Sequence, residues 1–200
     1  MPKVTDEHRA ARREQILDAA VRCVAREGFH RTTMAQVIAE ADLSAGAVYG
    51  YFKGKPDLIK AIAGRALGGF SDILLAVADG PGPVSPATGL RAVVRAVERV
   101  SVETDGAFPK VALHAWSEAA RDTEVREIVA VNLAGLQEAW LAVLRRSDAD
   151  GTLPAGDHAA MARVMIGLMP GFLVQSSLFG VVDADAYVGG FEALTSTRAD

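Results

Sequence analysis

The sequence predicts an all-α fold, because apolar residues recur at helical spacing in almost every segment between its glycines and prolines. The segment 7–27 shows the pattern, with Ile16, Ala20 and Val24 four residues apart and charged residues on the opposite face. No segment alternates apolar and polar residues with the β-branched enrichment of a strand, so no sheet is predicted. Half of the 200 residues are apolar and 23% are charged, which is typical of a soluble globular chain.

About nine helices follow from the positions of the glycines, prolines and capping residues. Gly28 ends the first helix and Gly54 ends the third, each in the role of a residue just past a helix C-terminus. The composition of residues 80–86, GPGPVSP, predicts a loop. The predicted helices span residues 7–27, 34–41, 45–52, 56–77, 87–104, 108–120, 123–146, 157–179 and 184–195.

Capping signals mark the starts of the second, third and fourth helices. Thr33 precedes the second helix and Gln36 follows three residues later, which is the spacing of a capping box. Asp42 ends that helix and Ser44 is placed to cap the third. Only about three residues separate the two helices, the connection length of a helix-turn-helix. Pro56 suits the first position of the fourth helix, because its missing N–H costs nothing there.

The cysteine content and the N-terminal sequence predict a reducing compartment. Cys23 is the single cysteine, so an internal disulfide framework is excluded. The N-terminal sequence is charged and has no apolar run, so no secretory signal is predicted and the cytoplasm is the expected location. Residues 164–182 lack charges and are long enough to cross a bilayer, but Pro170, Gln175 and three glycines interrupt them. A subunit interface is the preferred interpretation of this segment, and no membrane contact is predicted.

No arrangement of residues indicates catalysis. The sequence contains no nucleophile elbow, no Walker loop, no paired CxxC and no HExxH. His114 and Glu118 lie four residues apart on one helix face, but the spacing supplies no third ligand, so no metal is predicted. Cys23 lies on an apolar helix face, where a thiol is usually buried and unreactive. We therefore expect a protein that is not an enzyme and that has no cofactor.

Charge is divided unevenly along the chain. Residues 1–60 contain ten Lys/Arg and eight Asp/Glu, a net charge of +2, whereas residues 61–200 contain eleven and seventeen, a net charge of −6. A total charge of −4 would normally argue against nucleic-acid binding, but this division means that the first sixty residues must be judged alone. Two interpretations are open for Lys3, Arg9, Arg12 and Arg13: an extended grip on a DNA backbone, or an ordinary solvated helix face.

A dense motif occupies residues 28–62: a glycine, a pair of threonines, two short helices, then Tyr-x-x-Phe and a lysine that begins the next helix. Its residues here are Gly28, Thr32, Thr33, Ser44, Tyr49, Phe52, Lys55 and Leu58. This pattern resembles the DNA-binding domain of the TetR family of transcriptional repressors. The resemblance covers about residues 10–60 and is specific, because many positions match together. The rest of the chain resembles the family only in its length and helical character.

The resemblance implies a set of DNA contacts. Thr33, Tyr51 and Lys55 would bind phosphates, and Tyr49 either joins them or packs against the first helix. Helix N-termini support phosphate binding through their exposed N–H groups and partial positive charge. Gln36 is best suited to reading a base, because an amide can pair with adenine. The implied DNA-binding residues are Thr33, Gln36, Ser44, Ala45, Gly46, Ala47, Tyr49, Tyr51 and Lys55.

The third helix, which the resemblance places in the major groove, begins with the small residues Ser-Ala-Gly-Ala. Such residues allow a close approach, but alanine and glycine cannot make the bidentate hydrogen bonds that distinguish bases. We therefore expect specificity to depend partly on DNA shape and on half-site spacing. Asp42 departs from the family pattern, which usually has glycine there. Asp tolerates the left-handed conformation at a modest cost, so the turn stays possible.

The resemblance also implies two functional domains along the chain. Residues 1–54 would form the helix-turn-helix domain, and residues 55–200 an effector-binding and dimerisation domain. The last two helices, 157–179 and 184–195, would pair with a second copy of the chain. An effector held between helices would change the tilt of the fourth helix, and so release double-stranded DNA.

The candidate pocket residues combine apolar surface with a few polar groups, as ligand sites do. Each of them could instead be ordinary core, because aromatic and methionine residues at helical spacing are usually just packed. The candidates are Phe70, Leu74, Phe108, His114, Trp116, Asn132, Gln137, Trp140, Met165, Met169 and Gln175.

The function implied is that of a ligand-responsive transcriptional regulator, a homodimeric repressor that a small-molecule effector releases from a palindromic operator. One alternative keeps the architecture but drops regulation, which leaves a DNA-binding or helical scaffold protein without an effector. A helical enzyme is the remaining alternative, and the absence of any catalytic constellation disfavours it.

Overall fold

The computed structural model describes residues 6–153, 155–180 and 182–196, and within these residues the chain is helical and has no strand. The predicted all-α fold with a helix-turn-helix near the N-terminus is confirmed. The helices of the described part are α1 (Asp6–Arg31), α2 (Met34–Ala41), α3 (Ala45–Tyr49), α4 (Lys55–Leu67), α5 (Phe70–Ala78), α6 (Pro86–Glu103), α7 (Ala107–Ala119), α8 (Thr123–Ala149), α9 (His158–Phe179) and α10 (Ala184–Thr195).

The segment predicted as the fourth helix is divided in two. The prediction of one helix over 56–77 is wrong, since α4 ends at Leu67 and α5 begins at Phe70. Gly68 and Gly69 lie between them, and Gly69 has a φ of 86°, a left-handed conformation that glycine adopts without steric cost. Apolar residues continue on both sides of the break, so periodicity alone does not reveal it. The predicted fourth helix, whose tilt an effector was expected to change, is therefore two shorter helices.

The connection from the third to the fourth helix also differs from the prediction. Helix α3 ends at Tyr49, with Gly50 as its C-cap, rather than at residue 52. Phe52 lies beyond the helix and is buried. Gly54 therefore lies between two helices instead of ending α3, and Lys55 rather than Pro56 is the first residue of α4. The bounds of α9 and α10 agree with the predicted ones to within a residue.

The chain packs as two compact units. The first consists of the described residues up to Leu67 together with Lys110–Val129. The second consists of Gly68–Pro109 together with the described residues from Ala130 onward. The functional boundary placed between residues 54 and 55 stays a prediction.

The core of the first unit surrounds α1. Ile16 and Ala20 of α1 are fully buried, as are Val37 of α2 and Val48 of α3, and Phe52 closes the same core. Removing this apolar surface from water is the main term that holds short helices in place, because an isolated helix of five to eight residues is not stable alone. The helix-turn-helix therefore depends on α1 for its fold.

Ion pairs on the surface fasten α2 and α4 to α1. Arg22 and Arg26 of α1 donate to the Glu40 carboxylate of α2 at 2.7 and 3.0 Å. Their hydrogen bonds hold the pKa of Glu40 below its ordinary value. Arg65 of α4 donates to Asp18 of α1 at 2.7 Å. These contacts fix the angles between helices more than they add stability, since exposed ion pairs are weak.

Gly28 bends the C-terminal part of α1. Its φ of 76° and ψ of 167° interrupt the helix, as the sequence predicts, and the chain then continues through one more turn to Arg31. The bend lies close to α7, because a Cβ added to Gly28 would stand 3.4 Å from the His114 ring. Thr32 is buried beneath the bend and donates its hydroxyl to the Gly28 carbonyl at 2.9 Å. A glycine is needed here for its backbone conformation.

The second unit is built from helices packed at close range. A Cβ added to Gly89 of α6 would stand 2.8 Å from Cζ3 of Trp140, so α6 and α8 approach to the limit that glycine permits. Trp140 itself is buried. The rings of Phe70 and Phe108 lie 6.1 Å apart and tilted, within the range of a favourable aromatic contact. Phe70, Phe108 and Trp140 therefore act as core.

Within the described ranges, three stretches are long and apolar enough to cross a bilayer by length and composition alone, namely 55–78, Thr123–Ala149 and His158–Phe179. Each of them buries part of its surface within the protein, as Leu74 and Phe172 illustrate. A helix that packs on one face and is apolar on the others can equally meet another protein surface.

Candidate nucleic-acid interface and ligand cavity

The start of α2 is held by the predicted capping box. Thr33 Oγ1 accepts a hydrogen bond from the Gln36 N–H at 3.3 Å, and Gln36 Oε1 accepts one from the Thr33 N–H at 2.7 Å. Thr33 and Gln36 are both exposed. The amide oxygen of Gln36 is thus used by the cap, and its NH₂ group is what remains for a base. Pairing with adenine through both amide atoms would require the box to open.

Asp42 accommodates the turn between α2 and α3 without glycine. Its φ of 53° and ψ of 47° are left-handed, and its N–H donates to the Ala39 and Ile38 carbonyls. Asp is among the few residues with a side chain that occupy this region with little strain. Ser44 then caps α3, accepting a hydrogen bond from the Ala47 N–H at 3.2 Å. The departure from the family pattern therefore leaves a complete helix-turn-helix.

The first turn of α3 presents small residues to solvent. Ser44, Ala45 and Gly46 are exposed and Ala47 is half-buried. Apart from the α3 backbone and the two neighbouring residues, no heavy atom of the described residues lies within 4 Å of a Cβ added to Gly46. The absence of a side chain at Gly46 therefore serves no packing purpose inside the protein. It leaves a flat surface that another molecule can approach closely.

The predicted phosphate ligands lie around this turn with different degrees of exposure. Tyr49 is 49% exposed, whereas Tyr51 and Lys55 are half-buried. The Lys55 ammonium donates to the carbonyl of His30 at 2.7 Å, at the C-terminal end of α1. An ammonium has three N–H donors, so this bond leaves others for a phosphate. It also fixes the position of the side chain, a contact that the sequence does not reveal.

The arginines near the N-terminus have partners within the protein. Arg12 donates to the Gln15 side chain at 2.7 Å, and the Arg13 guanidinium lies 5.4 Å from the centre of the Phe52 ring. Arg9 is exposed. Lys3 lies outside the described residues. These contacts favour a structural role for Arg12 and Arg13, and DNA contact by either of them stays a prediction.

A cavity of about 730 Å³ lies in the second unit, at the ends of several helices. It is bordered by the start of α6, the C-terminal end of α8 with the loop that follows, the first turns of α9 and the last turns of α10. Of the pocket residues predicted from the sequence, Met165 alone lines this cavity. The lining residues are Ser85, Pro86, Ala87, Leu144, Gly151, Thr152, Leu153, Ala160, Met161, Val164, Met165, Phe191, Glu192, Thr195 and Ser196.

The other predicted pocket residues occupy a range of environments. Those that are buried are Phe70, Leu74, Phe108, Trp140 and Met169, and those that are half-buried are His114, Trp116, Asn132, Gln137 and Gln175. His114 and Trp116 belong to the first unit and the rest to the second. The indole N–H of Trp116 is buried and has no hydrogen-bond partner in the described part of the protein. An effector role for these residues stays a prediction.

Cys23 and Glu118 both lie among other groups of the protein. Cys23 is 1% exposed, and burial raises the pKa of its thiol. Glu118 lies 3.4 Å from Nε2 of His30, and His114 packs over Gly28. No group of three or more His, Cys, Asp or Glu residues in the described ranges is arranged to hold a metal ion.

Comparison with known families gives one match in the N-terminal part of the chain and one in the C-terminal part. Residues 16–62 match the family described as bacterial regulatory proteins, tetR family. Residues 86–195, more than half of the chain, match the family described as BetI-type transcriptional repressor, C-terminal. The chain belongs to the TetR family. The first match covers the helix-turn-helix and the residues that carry its caps.

Similar proteins in other bacteria are regulators. The BetI transcriptional regulator of Rhizobium meliloti is 30% identical over 182 residues, which cover 89% of this TetR-family chain and 83% of that protein. A transcriptional repressor of Mycobacterium tuberculosis is 43% identical over 63 residues. That second match spans 32% of this chain and 34% of the repressor's length.

Solved structures of the family share the fold. The complex of SmeT with triclosan has a TM-score of 0.76 and 25% identity, and the match covers 94% of this chain and 93% of that one. FadR of Bacillus subtilis bound to stearoyl-CoA has a TM-score of 0.73 and 20% identity, over 90% and 96% of the two chains. The family matches and the BetI relative show that this TetR-family member is a DNA-binding transcriptional regulator and not an enzyme.

Proposed function

We propose that this TetR-family regulator is a cytoplasmic homodimeric repressor that binds a palindromic operator and is released from it by a small-molecule effector. Its DNA-binding domain would comprise residues 1–54, and residues 55–200 would bind the effector and the second subunit. The match of residues 86–195 to the family described as BetI-type transcriptional repressor, C-terminal, supports repression as the mode of action.

The exposed, side-chain-poor first turn of α3 is the observation that carries this proposal. A surface with Gly46 at its centre fits against base edges in a major groove, and half-site spacing then supplies much of the specificity. Thr33 at the start of α2 and Lys55 at the start of α4 flank it with donors at helix N-termini, where phosphates bind well. The proposed DNA contacts are Thr33, Gln36, Ser44, Ala45, Gly46, Ala47, Tyr49, Tyr51 and Lys55.

The surface of α9 supports a homodimer. A stripe of apolar and small residues is spaced alternately four and three residues apart along it, the period of paired helices. We call it the α9 stripe, and its members are Ala160, Val164, Gly167, Gly171, Val174 and Leu178. Val164 and Leu178 are 63% and 70% exposed, and Phe179 beside them is 80% exposed. Apolar surface of this extent on one helix usually marks an interface. The stripe and α10 would pair with the same surfaces of a second copy.

A homodimer would place two α3 helices on one face of the DNA. Successive half-sites read by such a pair are roughly 34–36 Å apart, or one turn of the duplex. An effector bound to the second unit would favour a state in which this spacing no longer fits. The polypeptide passes between the units at Gly68 and within α7 and α8, so these are the covalent connections through which the change would travel.

Selection of bound duplexes from a random-sequence library tests the proposal. The expected result is an enriched, symmetric pair of half-sites, bound with an affinity that falls steeply as salt rises. Lys55→Ala should weaken binding about tenfold and lower the salt slope by about one. Lys110→Ala is the matched control, because Lys110 is an exposed lysine of the same unit and is not a proposed contact.

Two outcomes would contradict the proposal. One is the absence of any duplex enriched over random DNA at low salt. The other is equal binding by the Lys55 and Lys110 variants, with both shown by circular dichroism to keep the helical fold.

A further inference from the structure

The side chain of Gln15 bridges α1 and the C-terminal end of α2. Its Nε2 donates to the Ala41 carbonyl at 2.9 Å, and its Oε1 accepts a hydrogen bond from Arg12 Nη1 at 2.7 Å. Gln15 and Arg12 are half-buried, and Ala41 is buried. Both bonds are therefore partly shielded from water, which raises the cost of leaving either partner unpaired.

The chemistry of the two partners specifies an amide between them. A guanidinium only donates hydrogen bonds, and a backbone carbonyl only accepts them. The side chain between Arg12 and the Ala41 carbonyl must therefore accept at one atom and donate at another, as the neutral amide of Gln15 does. A glutamate at this position would bring a carboxylate against the carbonyl, and a lysine would bring an ammonium against the guanidinium. The same requirement determines which way the amide is turned.

The carbonyl that Gln15 binds lies directly before the turn of the helix-turn-helix. Asp42 follows it in the left-handed conformation, and the Asp42 N–H donates to the Ala39 carbonyl at 3.2 Å. The Leu43 N–H donates to the Ile38 carbonyl at 3.3 Å. These two bonds close the end of α2 within the turn itself. The bond from Gln15 comes from another helix, and so it fixes where the turn lies on α1.

A second attachment of α2 lies further along α1. Arg22 and Arg26 bind the carboxylate of Glu40, the residue before Ala41. A helix rises about 1.5 Å per residue, which puts Gln15 and Arg22 about 10 Å apart along the α1 axis. Attachments at this separation resist rotation of α2 on α1, which either one by itself would allow.

Helix α3 depends on this turn for its position. It has five residues, and its buried residue is Val48. Leu43 and Ser44 are the residues between Asp42 and the first turn of α3, so a displacement of the turn is passed on to that surface. Contacts between small residues and base edges tolerate little displacement, because van der Waals attraction weakens within a fraction of an ångström.

We infer that Gln15 is a positioning residue for DNA recognition. By binding the Ala41 carbonyl it fixes the turn on α1, and so it sets where the first turn of α3 meets the duplex. The inference rests on the proposed function, in which that turn lies in the major groove. Phosphate contacts depend mainly on charge and carry no sequence information. Loss of the Gln15 bond should therefore weaken specific binding far more than non-specific binding.

The test uses the full-length protein with Gln15→Met, which keeps the side-chain length and the net charge and removes both hydrogen bonds. Its affinity for the duplex that the wild type selects should fall roughly three- to tenfold, the effect of one hydrogen bond. Its affinity for random DNA should stay within about twofold and its salt slope should not change, because no charge is altered.

Ile62→Val is the control matched for stability. Ile62 is buried in the same unit on α4, and the variant loses one methylene without touching the turn. Circular dichroism melts show whether both variants are folded at the assay temperature and how far each melting temperature falls. Ile62→Val should discriminate between the selected duplex and random DNA as well as the wild type does.

A charge-conserving double variant tests the hydrogen bonds themselves. In Arg12→Gln combined with Gln15→Lys, the introduced ammonium can donate both to the Ala41 carbonyl and to the introduced amide oxygen. The turn is then held again, with the same net charge as the wild type. Discrimination between the selected duplex and random DNA should recover to within about twofold of the wild type, since one donor to the carbonyl is restored.

Amide hydrogen exchange in the free protein reports on the turn without DNA. The Asp42 and Leu43 amides should exchange at least about fivefold faster in Gln15→Met, because local opening of the turn is easier, and at nearly the wild-type rate in Ile62→Val. Unchanged exchange in Gln15→Met would overturn the inference. So would an equal loss of affinity for selected and random duplexes, or the same loss of discrimination in Ile62→Val.

The two proposals fail in distinguishable ways. If the wild type selects a duplex and Gln15→Met discriminates equally well, the positioning role is wrong and the proposed function stands. If the wild type selects no duplex, the proposed function is wrong and the inference fails with it.

Discussion

Gly46 lies in the first turn of α3, where an added Cβ would meet no heavy atom within 4 Å beyond its own helix backbone and chain neighbours in the described part of the protein. A larger side chain there changes the outer surface and leaves the interior untouched. Glycine is also the weakest helix former apart from proline, by about 1 kcal/mol relative to alanine. Gly46 therefore costs helix stability, which is consistent with its proposed role as a DNA contact.

We expect Gly46→Gln to keep or slightly raise the melting temperature, while DNA affinity falls at least tenfold because the side chain separates α3 from the groove. Circular dichroism melts and an electrophoretic shift assay measure the two effects. Gly64→Gln in α4 is the control, since its Cβ position is equally open among the described residues. Similar DNA affinity in both variants would show that α3 does not approach the bases closely.

Cys23, unlike the exposed Gly46, lies in the packed interior, and this burial makes its thiol unreactive. Burial raises the pKa of its thiol, so the thiolate fraction at neutral pH is smaller than that of an exposed cysteine. We expect no labelling of the native protein by a maleimide at pH 8 within an hour, and complete labelling in guanidinium chloride. In Ala11→Cys, a position exposed on α1, the added thiol should react at once. Rapid labelling of native Cys23 would mean that α1 opens readily.

At the scale of helices, the contact between α1 and α2 determines how the DNA-binding helices are held. The Glu40 carboxylate bridges the two helices through Arg22 and Arg26, and these hydrogen bonds lower its pKa. A group with a lowered pKa in the folded state stabilises it above the unfolded pKa. That contribution is lost as pH falls through the folded value.

Glu40→Gln should therefore lower the melting temperature at pH 7, and the difference from the wild type should shrink as pH falls below about 4. Thermal melts between pH 7 and pH 3 measure it, with Glu103→Gln at an exposed position of α6 as the control. A difference that is constant over this range would mean that the ion pair does not stabilise the fold.

At the scale of the whole molecule, the proposed homodimer would couple DNA binding to assembly. One α3 helix reaches only a few base pairs, so a single subunit binds weakly and with little specificity. A second subunit paired through the α9 stripe would bring a second α3 helix to the same duplex. Affinity for a palindrome then exceeds that for a half-site, because the second contact is intramolecular.

Leu178→Glu should convert the protein to a monomer and lower its affinity for the selected duplex more than a hundredfold, while helicity stays unchanged. Light scattering after size exclusion gives the mass, and a shift assay gives the affinity. Val102→Glu, at an equally exposed apolar residue of α6, should stay dimeric. A dimer that persists in Leu178→Glu would place the interface elsewhere.

The sequence by itself determined the features whose physical cause lies within a few residues. The capping box of Thr33 and Gln36, the cap at Ser44 and the left-handed turn at Asp42 each depend on neighbours three or four positions away. The helical spacing of apolar residues predicted the all-α class for the same reason, because it too depends on residues three or four positions apart. The break at Gly69 escaped prediction because apolar periodicity continues on both sides of it.

Only the tertiary structure decided which distant groups meet. The bond from Lys55 to the His30 carbonyl joins residues 25 positions apart, and the tie from Thr152 to Val84 joins residues 68 positions apart. The cavity lies where the ends of several helices diverge, and its lining is mostly small and apolar residues without a distinctive pattern. Empty space depends on how whole helices pack, and no local run of residues specifies that packing.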